Sequence, residues 1–286
     1  MPTILTNSII HNLCISGASI SKCPWLTWVD CLIESLHPST VTNHSCKGAG
    51  NQFIISSAFH TVNDSVNNKF LAIMLTNFDK YDMWVTDKVC EELHGEKHPP
   101  KWINGQSAKH EGFWCTGSHF PLKKEIYREN FFNLGLAASQ NLTQALGLVK
   151  YCQDKNIPFL IMFDSPILKY TESQINDFCK HQKMLQSHHL EQNPLVAPAW
   201  SVLQSYIPND QGLIGFCLEH DLPWTSELYG PHPPSVSHVK YFQQKIVPWI
   251  RKNYPHIELR DLGSTFIKMT DRMTIKWQKK NSDCRR

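Results

Sequence analysis

The sequence holds no run of about 18 or more apolar residues, so it offers no stretch that would cross a bilayer as a helix. Its ten cysteines include no Cys-x-x-Cys pair. They are scattered singly, and Cys14, Cys31, Cys152, Cys179 and Cys217 fall inside apolar periodic segments, where buried thiols fit better than a disulfide framework. A phosphate-cradling glycine loop ending in lysine and serine is also missing. Gly48-x-Gly50 lacks the third glycine and the acidic ribose partner of a dinucleotide fingerprint, so no cofactor is expected. The start of the chain shows no basic flank, long apolar region and cleavage site, and a cytoplasmic location is the expectation.

What is present is a chain of 286 residues with 41% hydrophobic, 19% charged and 11% aromatic content, which suits one soluble domain with a substantial core. The formal charge of +3 is uneven. Residues 268–286 hold seven basic side chains (Lys268, Arg272, Lys276, Lys279, Lys280, Arg285, Arg286) against two acidic ones (Asp271, Asp283). With only Trp277 interleaved, this reads as a solvated basic tail over 261–286, with neither a nucleic-acid nor a membrane partner.

Residues 1–260 read as a single α/β domain, because apolar runs alternate with helical patterns as in a parallel sheet wrapped by helices. The spacing predicts a first strand over Ile9 to Ser16 and a helix from Pro24 with Trp25, Trp28, Val29, Leu32, Ile33 and Leu36 on one face. A weak strand over Thr40 to His44, a helix carrying Phe53, Ile54, Ser57 and Ala58, and a strand over Phe70 to Leu75 follow. A long helix within Phe131 to Asp154, a strand over Ile157 to Phe163 and a final helix over Val236 to Lys252 complete the pattern. The fold expected is a three-layer α/β/α sandwich with a flavodoxin-like parallel sheet of about five strands.

Residues 79–130 and 165–209 break the alternation and read as long inserted loops, the first as a lid or subdomain. It is dense in aromatics (Tyr81, Trp84, Trp102, Phe113, Trp114, Phe120), which could stack on sugar rings but more commonly pack an insertion's own core. His94, His98, Cys115 and His119, with His110 between, are zinc-ligand types. Pro99-Pro100 and the nearby glycines argue against a regular helix there, and no metal site is assigned.

The chemistry-bearing feature is Ser16-Gly17-Ala18-Ser19-Ile20-Ser21, directly after the first apolar run. A small-residue turn at the carboxyl end of a strand exposes one hydroxyl, that of Ser19, at the sheet edge where open α/β sheets keep their chemistry. Three later blocks accompany it: Gly48-Ala49-Gly50-Asn51, Leu75-Thr76-Asn77-Phe78-Asp79 and His232-Pro233-Pro234-Ser235-Val236-Ser237-His238. In this order, across residues 9–250, the four blocks resemble those of the SGNH (GDSL-type) hydrolase superfamily, in a divergent form similar to members found among phage and other viral proteins. For a viral member the location would be host cytoplasm or virion.

The resemblance implies a serine hydrolase with Ser19 as nucleophile, His232 as base, and the Gly48 backbone N–H with the Asn77 side chain as oxyanion donors. Each role is chemically apt. An imidazole titrates near neutrality, and donors fixed in advance stabilise the developing oxyanion. Two positions depart from the superfamily pattern: Ala18 replaces the aspartate beside the nucleophile, and Tyr229 stands where the triad aspartate is expected. Asp164, Glu227 and Asp221 are the candidate replacements, and a Ser-His dyad oriented by a backbone carbonyl is the other arrangement. The substrate implied is a small-molecule or carbohydrate ester, such as an O-acetyl or other O-acyl group. The competing reading is an impaired scaffold that binds glycans or belongs to a virion.

Overall fold

The computed structural model describes residues 9–46, 48–63, 68–78, 80, 82–85, 113–116, 134–165, 194–222 and 232–283. Six strands occur among them: β1 (Asn12–Gly17), β2 (Thr40–Asn43), β3 (Lys69–Leu75), β4 (Asp82–Val85), β5 (Phe113–Thr116) and β6 (Phe159–Phe163). Four form one all-parallel sheet in the order β2-β1-β3-β6, and β4 pairs antiparallel with β5 in a separate ladder. This is the strand order of flavodoxin-like winding, with four strands among the described residues where about five were expected.

The strand sequences follow from where they sit. Every residue of β1, β3 and β6 is buried, which is why they read as continuous apolar runs rather than alternating ones. The edge strand β2 is short, polar and mostly exposed, a composition that blunts an open edge. Alternate side chains build two cores. Leu13, Ile15, Phe70, Met74 and Met162 point to one face, and Cys14, Leu71, Ile73, Ile161 and Phe163 to the other. Burying each large aliphatic side chain contributes about 1.5–3 kcal/mol relative to leaving it in water.

Helices cover both faces, giving the three-layer α/β/α sandwich. On the Leu13 face lie α1 (Trp28–Leu36), with Trp28, Val29 and Leu32 buried, and the later helices. On the Cys14 face lie α2 (Asn51–Val62), α3 (Leu134–Asp154) and α4 (Ala197–Leu203). The helix α1 begins at Trp28 rather than at Pro24, because Thr27 and Asp30 form a capping box. The Asp30 carboxylate accepts the Thr27 N–H at 2.7 Å, and the Thr27 hydroxyl accepts that of Val29 at 3.2 Å.

After β6 come α5 (Gly212–Glu219) and α6 (Ser235–Tyr241), a π turn over Phe242–Ile246 and α7 (Val247–Asn253). The π turn stands directly ahead of Pro248, which has no N–H to give the carbonyl four residues back, so the helix locally rewinds instead of breaking. The segment expected as a basic tail is instead a helix, α8 (Ser264–Asp283). Phe266, Thr270 and Thr274 recur every fourth residue on its buried side, and it packs on α6. Among its described side chains, two of the three buried positions are threonines, which dilute the apolar stripe that would have marked a helix.

Among the described residues no helix is long and apolar enough to cross a membrane. Cys14, Cys31, Cys152 and Cys217 are buried thiols outside any disulfide, whereas Cys179 lies outside the described residues.

Candidate active site

Strand β1 ends at Gly17, and the chain turns at once into a single 3-10 turn, Ser19–Ser21, closed by N–H bonds from Ser21 to the Ala18 carbonyl and from Lys22 to the Ser19 carbonyl, each 3.0 Å. The turn is so tight that a Cβ at position 17 would collide with the Ser21 side chain, which is the steric reason for glycine there. Ser21 is held in turn, since its hydroxyl accepts the Trp28 indole N–H at 3.2 Å. The Cys23 thiol donates to the Ser19 carbonyl at 3.2 Å.

From this turn the Ser19 Oγ lies 2.9 Å from His232 Nε2. The hydroxyl donates to Nε2 when the ring carries its proton on Nδ1. His232 is half-buried, just ahead of α6. Two further bonds tie its loop and the α6 helix that follows to the segment after Ser19: the Trp25 indole N–H donates to the Pro233 carbonyl at 3.0 Å, and the Trp28 backbone N–H donates to His238 Nδ1 at 3.1 Å. The second satisfies one of the orphan N–H groups at the start of α1. His238 is fully buried, and burial first, then the neighbouring His232, pushes it down to about 3, so it is a neutral acceptor at ordinary pH.

Gly48 and Asn77 share the sheet edge that carries Ser19. Strand β1 lies between β2 and β3, all three run the same way, and neighbouring strands are about 4.8 Å apart. Gly17 pairs with Met74 and Ile15 with Asn43, so the chain leaves β2 toward Gly48, β1 toward Ser19 and β3 toward Asn77 side by side. Gly48 has φ of 77°, the left-handed region that favours glycine, and Asn77 is half-buried.

Both loops are braced by polar contacts. The Asn51 side chain accepts the Thr76 N–H at 2.8 Å and donates to the Thr76 carbonyl at 2.9 Å, fixing the residue before Asn77. Asp82, on β4, accepts the Gly50 and Phe53 N–H groups at 2.8 Å each and so caps α2. Burial pushes its carboxyl up to about 7, against the opposing pull of those two N–H groups and Lys80.

The candidate acids fare differently. Asp164 sits at the carboxyl end of β6, buried at this edge, but its Oδ1 accepts the Ser165 hydroxyl at 2.7 Å and its Oδ2 lies 4.0 Å from Lys80 Nζ. Lys80 also donates to the Thr76 hydroxyl at 2.7 Å. Asp221 is exposed, with φ of 46°, just past the end of α5. That helix starts against the end of β6, where the Ile214 N–H donates to the Asp164 carbonyl at 2.8 Å, and at 1.5 Å per residue it carries the chain about 12 Å away. Glu227 and Tyr229 lie outside the described residues, as do His94, His98, His110 and His119. Among the described residues no group of three or more histidine, cysteine, aspartate or glutamate side chains could hold a metal.

Trp25, Asn51, Lys80 and Asp82 went unremarked in the sequence as site supports. Asp82 belongs to a strand of four residues, Asp82–Val85, too short for its period to register. No family model matches the chain, and no curated protein matches it.

Proposed function

We propose that the protein is a serine hydrolase that cleaves an ester through an acyl-enzyme, as its likeness to the SGNH superfamily implies. The observation that carries this reading is the 2.9 Å contact between Ser19 Oγ and His232 Nε2, made between residues 213 positions apart. An incidental serine on a surface turn has no reason to meet an imidazole from the far end of the chain. In the first half-reaction Ser19 Oγ attacks the ester carbonyl carbon as its proton passes to His232 Nε2. The carbonyl oxygen takes up negative charge and is met by the Gly48 N–H and the Asn77 side-chain amide. The imidazolium then protonates the leaving alkoxide, releasing the alcohol and leaving the acyl group on Ser19. In the second half, water loses a proton to His232, attacks the acyl carbon, and releases the acid as Ser19 recovers its proton.

The open sheet edge and the aromatic-rich insertion favour an O-acetyl or other O-acyl group on a carbohydrate or small ester. Hydrolysis of nitrophenyl acetate and acetylated sugars, with labelling of Ser19 by a fluorophosphonate, tests the proposal. Ser19→Ala should abolish labelling and lower turnover by about 10³-fold or more. Turnover equal in the wild type and Ser19→Ala, with no labelling, would end it.

One pair of observations favours a second reading, an impaired scaffold that binds glycans or belongs to a virion. Tyr229 occupies the position of the triad aspartate, and the Asp164 carboxylate is engaged by Ser165 and Lys80. That protein would bind glycans while leaving the probe unreacted.

A further inference from the structure

A general base must be held in place as well as present. In a triad a carboxylate performs that service for the histidine. Among the described residues, Asp164 is a buried carboxylate at this edge, and it accepts from Ser165. One support for His232 comes from the short segment that leads away from the nucleophile itself.

Trp25 follows Ser19 by six positions and is 5% exposed. Its indole N–H donates at 3.0 Å to the carbonyl of Pro233, the residue directly after His232. Proline fixes its own φ, so a bond to its carbonyl pins the peptide geometry from which the imidazole projects. The indole also stands against the imidazole, with ring centres 6.4 Å apart and planes at 82°, which limits swinging of the histidine ring toward it. A second attachment, the Trp28 N–H on His238 Nδ1 at 3.1 Å, fastens α6, the helix into which the same loop runs. The Cys23 thiol, between Ser19 and Trp25, donates back to the Ser19 carbonyl at 3.2 Å. Nucleophile and indole therefore belong to one braced segment.

We propose that Trp25 is a positioning residue for His232, holding the imidazole on Ser19 through the Pro233 carbonyl and the ring contact. This rests on the reading of Ser19 and His232 as nucleophile and base. Loosening the loop lets Nε2 drift from Oγ, and a misplacement of about 1 Å can lower a rate by about 100-fold. The ring must also keep its proton on Nδ1 to accept from Ser19, and a mobile imidazole populates both neutral tautomers.

The test compares wild type, Trp25→Phe, which keeps an aromatic ring and removes the N–H, and a protein in which residue 25 is 3-benzothienylalanine, the sulfur isostere of tryptophan. The isostere keeps the indole shape, so it reports even where phenylalanine prevents folding. Both should react with a fluorophosphonate about 10–100-fold more slowly than wild type, with the loss in kcat rather than KM and a melting temperature within a few degrees. In 15N-labelled protein the His232 ring should pass from a single tautomer to a mixture. Wild-type labelling rates together with an unchanged ring spectrum in the isostere protein would overturn the role of Trp25 and leave the hydrolase reading intact. If the wild type itself is not labelled, the hydrolase reading falls, and the ring spectrum alone decides: a single tautomer retained without the N–H overturns the inference, and a mixture supports it.

Discussion

Asp82 and Gly50 are joined by a 2.8 Å hydrogen bond from backbone N–H to carboxylate, and the second oxygen of the same carboxylate takes the Phe53 N–H at the same distance. One acidic side chain from the insertion after β3 thereby caps α2, the helix that starts three residues past Gly48. A Cβ on Gly50 would lie 2.8 Å from that carboxylate and 2.7 Å from the Lys80 carbonyl, so the insertion approaches the loop as closely as glycine allows.

Removing the cap should be felt in stability. Asp82→Ala leaves the Gly50 and Phe53 N–H groups without their acceptor, and we expect a loss of about 2 kcal/mol in urea unfolding. Asp82→Asn keeps one acceptor oxygen and should lose less. If alanine proved as stable as wild type, the cap would contribute nothing.

Asp82 and His238 should also shape the pH dependence of stability, with opposite signs. The His238 value falls from 6.5 to about 3 on folding, so in that window the unfolded chain binds the extra proton and stability drops as pH falls. The Asp82 value rises from 3.8 to about 7, so the folded chain holds the proton more tightly and stability drops as pH rises through that window. Between 3.8 and 6.5 the two trends oppose each other. Urea unfolding from pH 4 to 6.5 should therefore show stability climbing with pH more steeply in Asp82→Asn than in wild type, by at most about 1.4 kcal/mol per pH unit. His238→Asn should tilt the other way. Parallel pH curves for all three proteins would contradict both assignments.

Gly17→Ala should destabilise through one identifiable collision, with the Ser21 side chain. We expect about 1–3 kcal/mol of overpacking, relieved in part by adding Ser21→Gly. The double mutant should then be more stable than the sum of its single changes allows. Simple additivity would mean that the strain lies elsewhere.

Asn51→Ala removes both bonds to Thr76 and leaves a buried backbone N–H and carbonyl unmatched beside Asn77. Stability should fall by about 2–3 kcal/mol. On the proposed mechanism, the fluorophosphonate labelling rate measured on folded protein should fall as well, because the Asn77 donor is no longer fixed. A stability loss with an unchanged labelling rate would separate Asn51 from the oxyanion donors.

Legibility in the sequence tracked the physics that writes each element. Strands β1, β3 and β6 are covered on both faces, so their continuous apolar runs stood out. Helix α8 did not, because Thr270 and Thr274 fill buried positions while Met269 and Ile275 face outward, inverting the usual pattern. Ser19 could be singled out since a tight strand-to-helix turn needs small residues in a row. The supports around it left no trace: Trp25, Asn51 and Asp82 act through backbone groups of distant segments, and such bonds impose no local spacing. The start of α1 shows the same limit in miniature, with Pro24 suggesting a helix that Thr27 and Asp30 delay until Trp28.

The span of 213 positions between Ser19 and His232 has a consequence for biosynthesis. The hydroxyl leaves the ribosome well ahead of its hydrogen-bond partner, which arrives only after β6 and α5 have been made. On the proposed mechanism, reactivity at Ser19 must wait until nearly the whole sandwich has emerged. Probe labelling of Ser19 during translation would then act as a clock for completion of the fold, silent in nascent chains that stop short of residue 232.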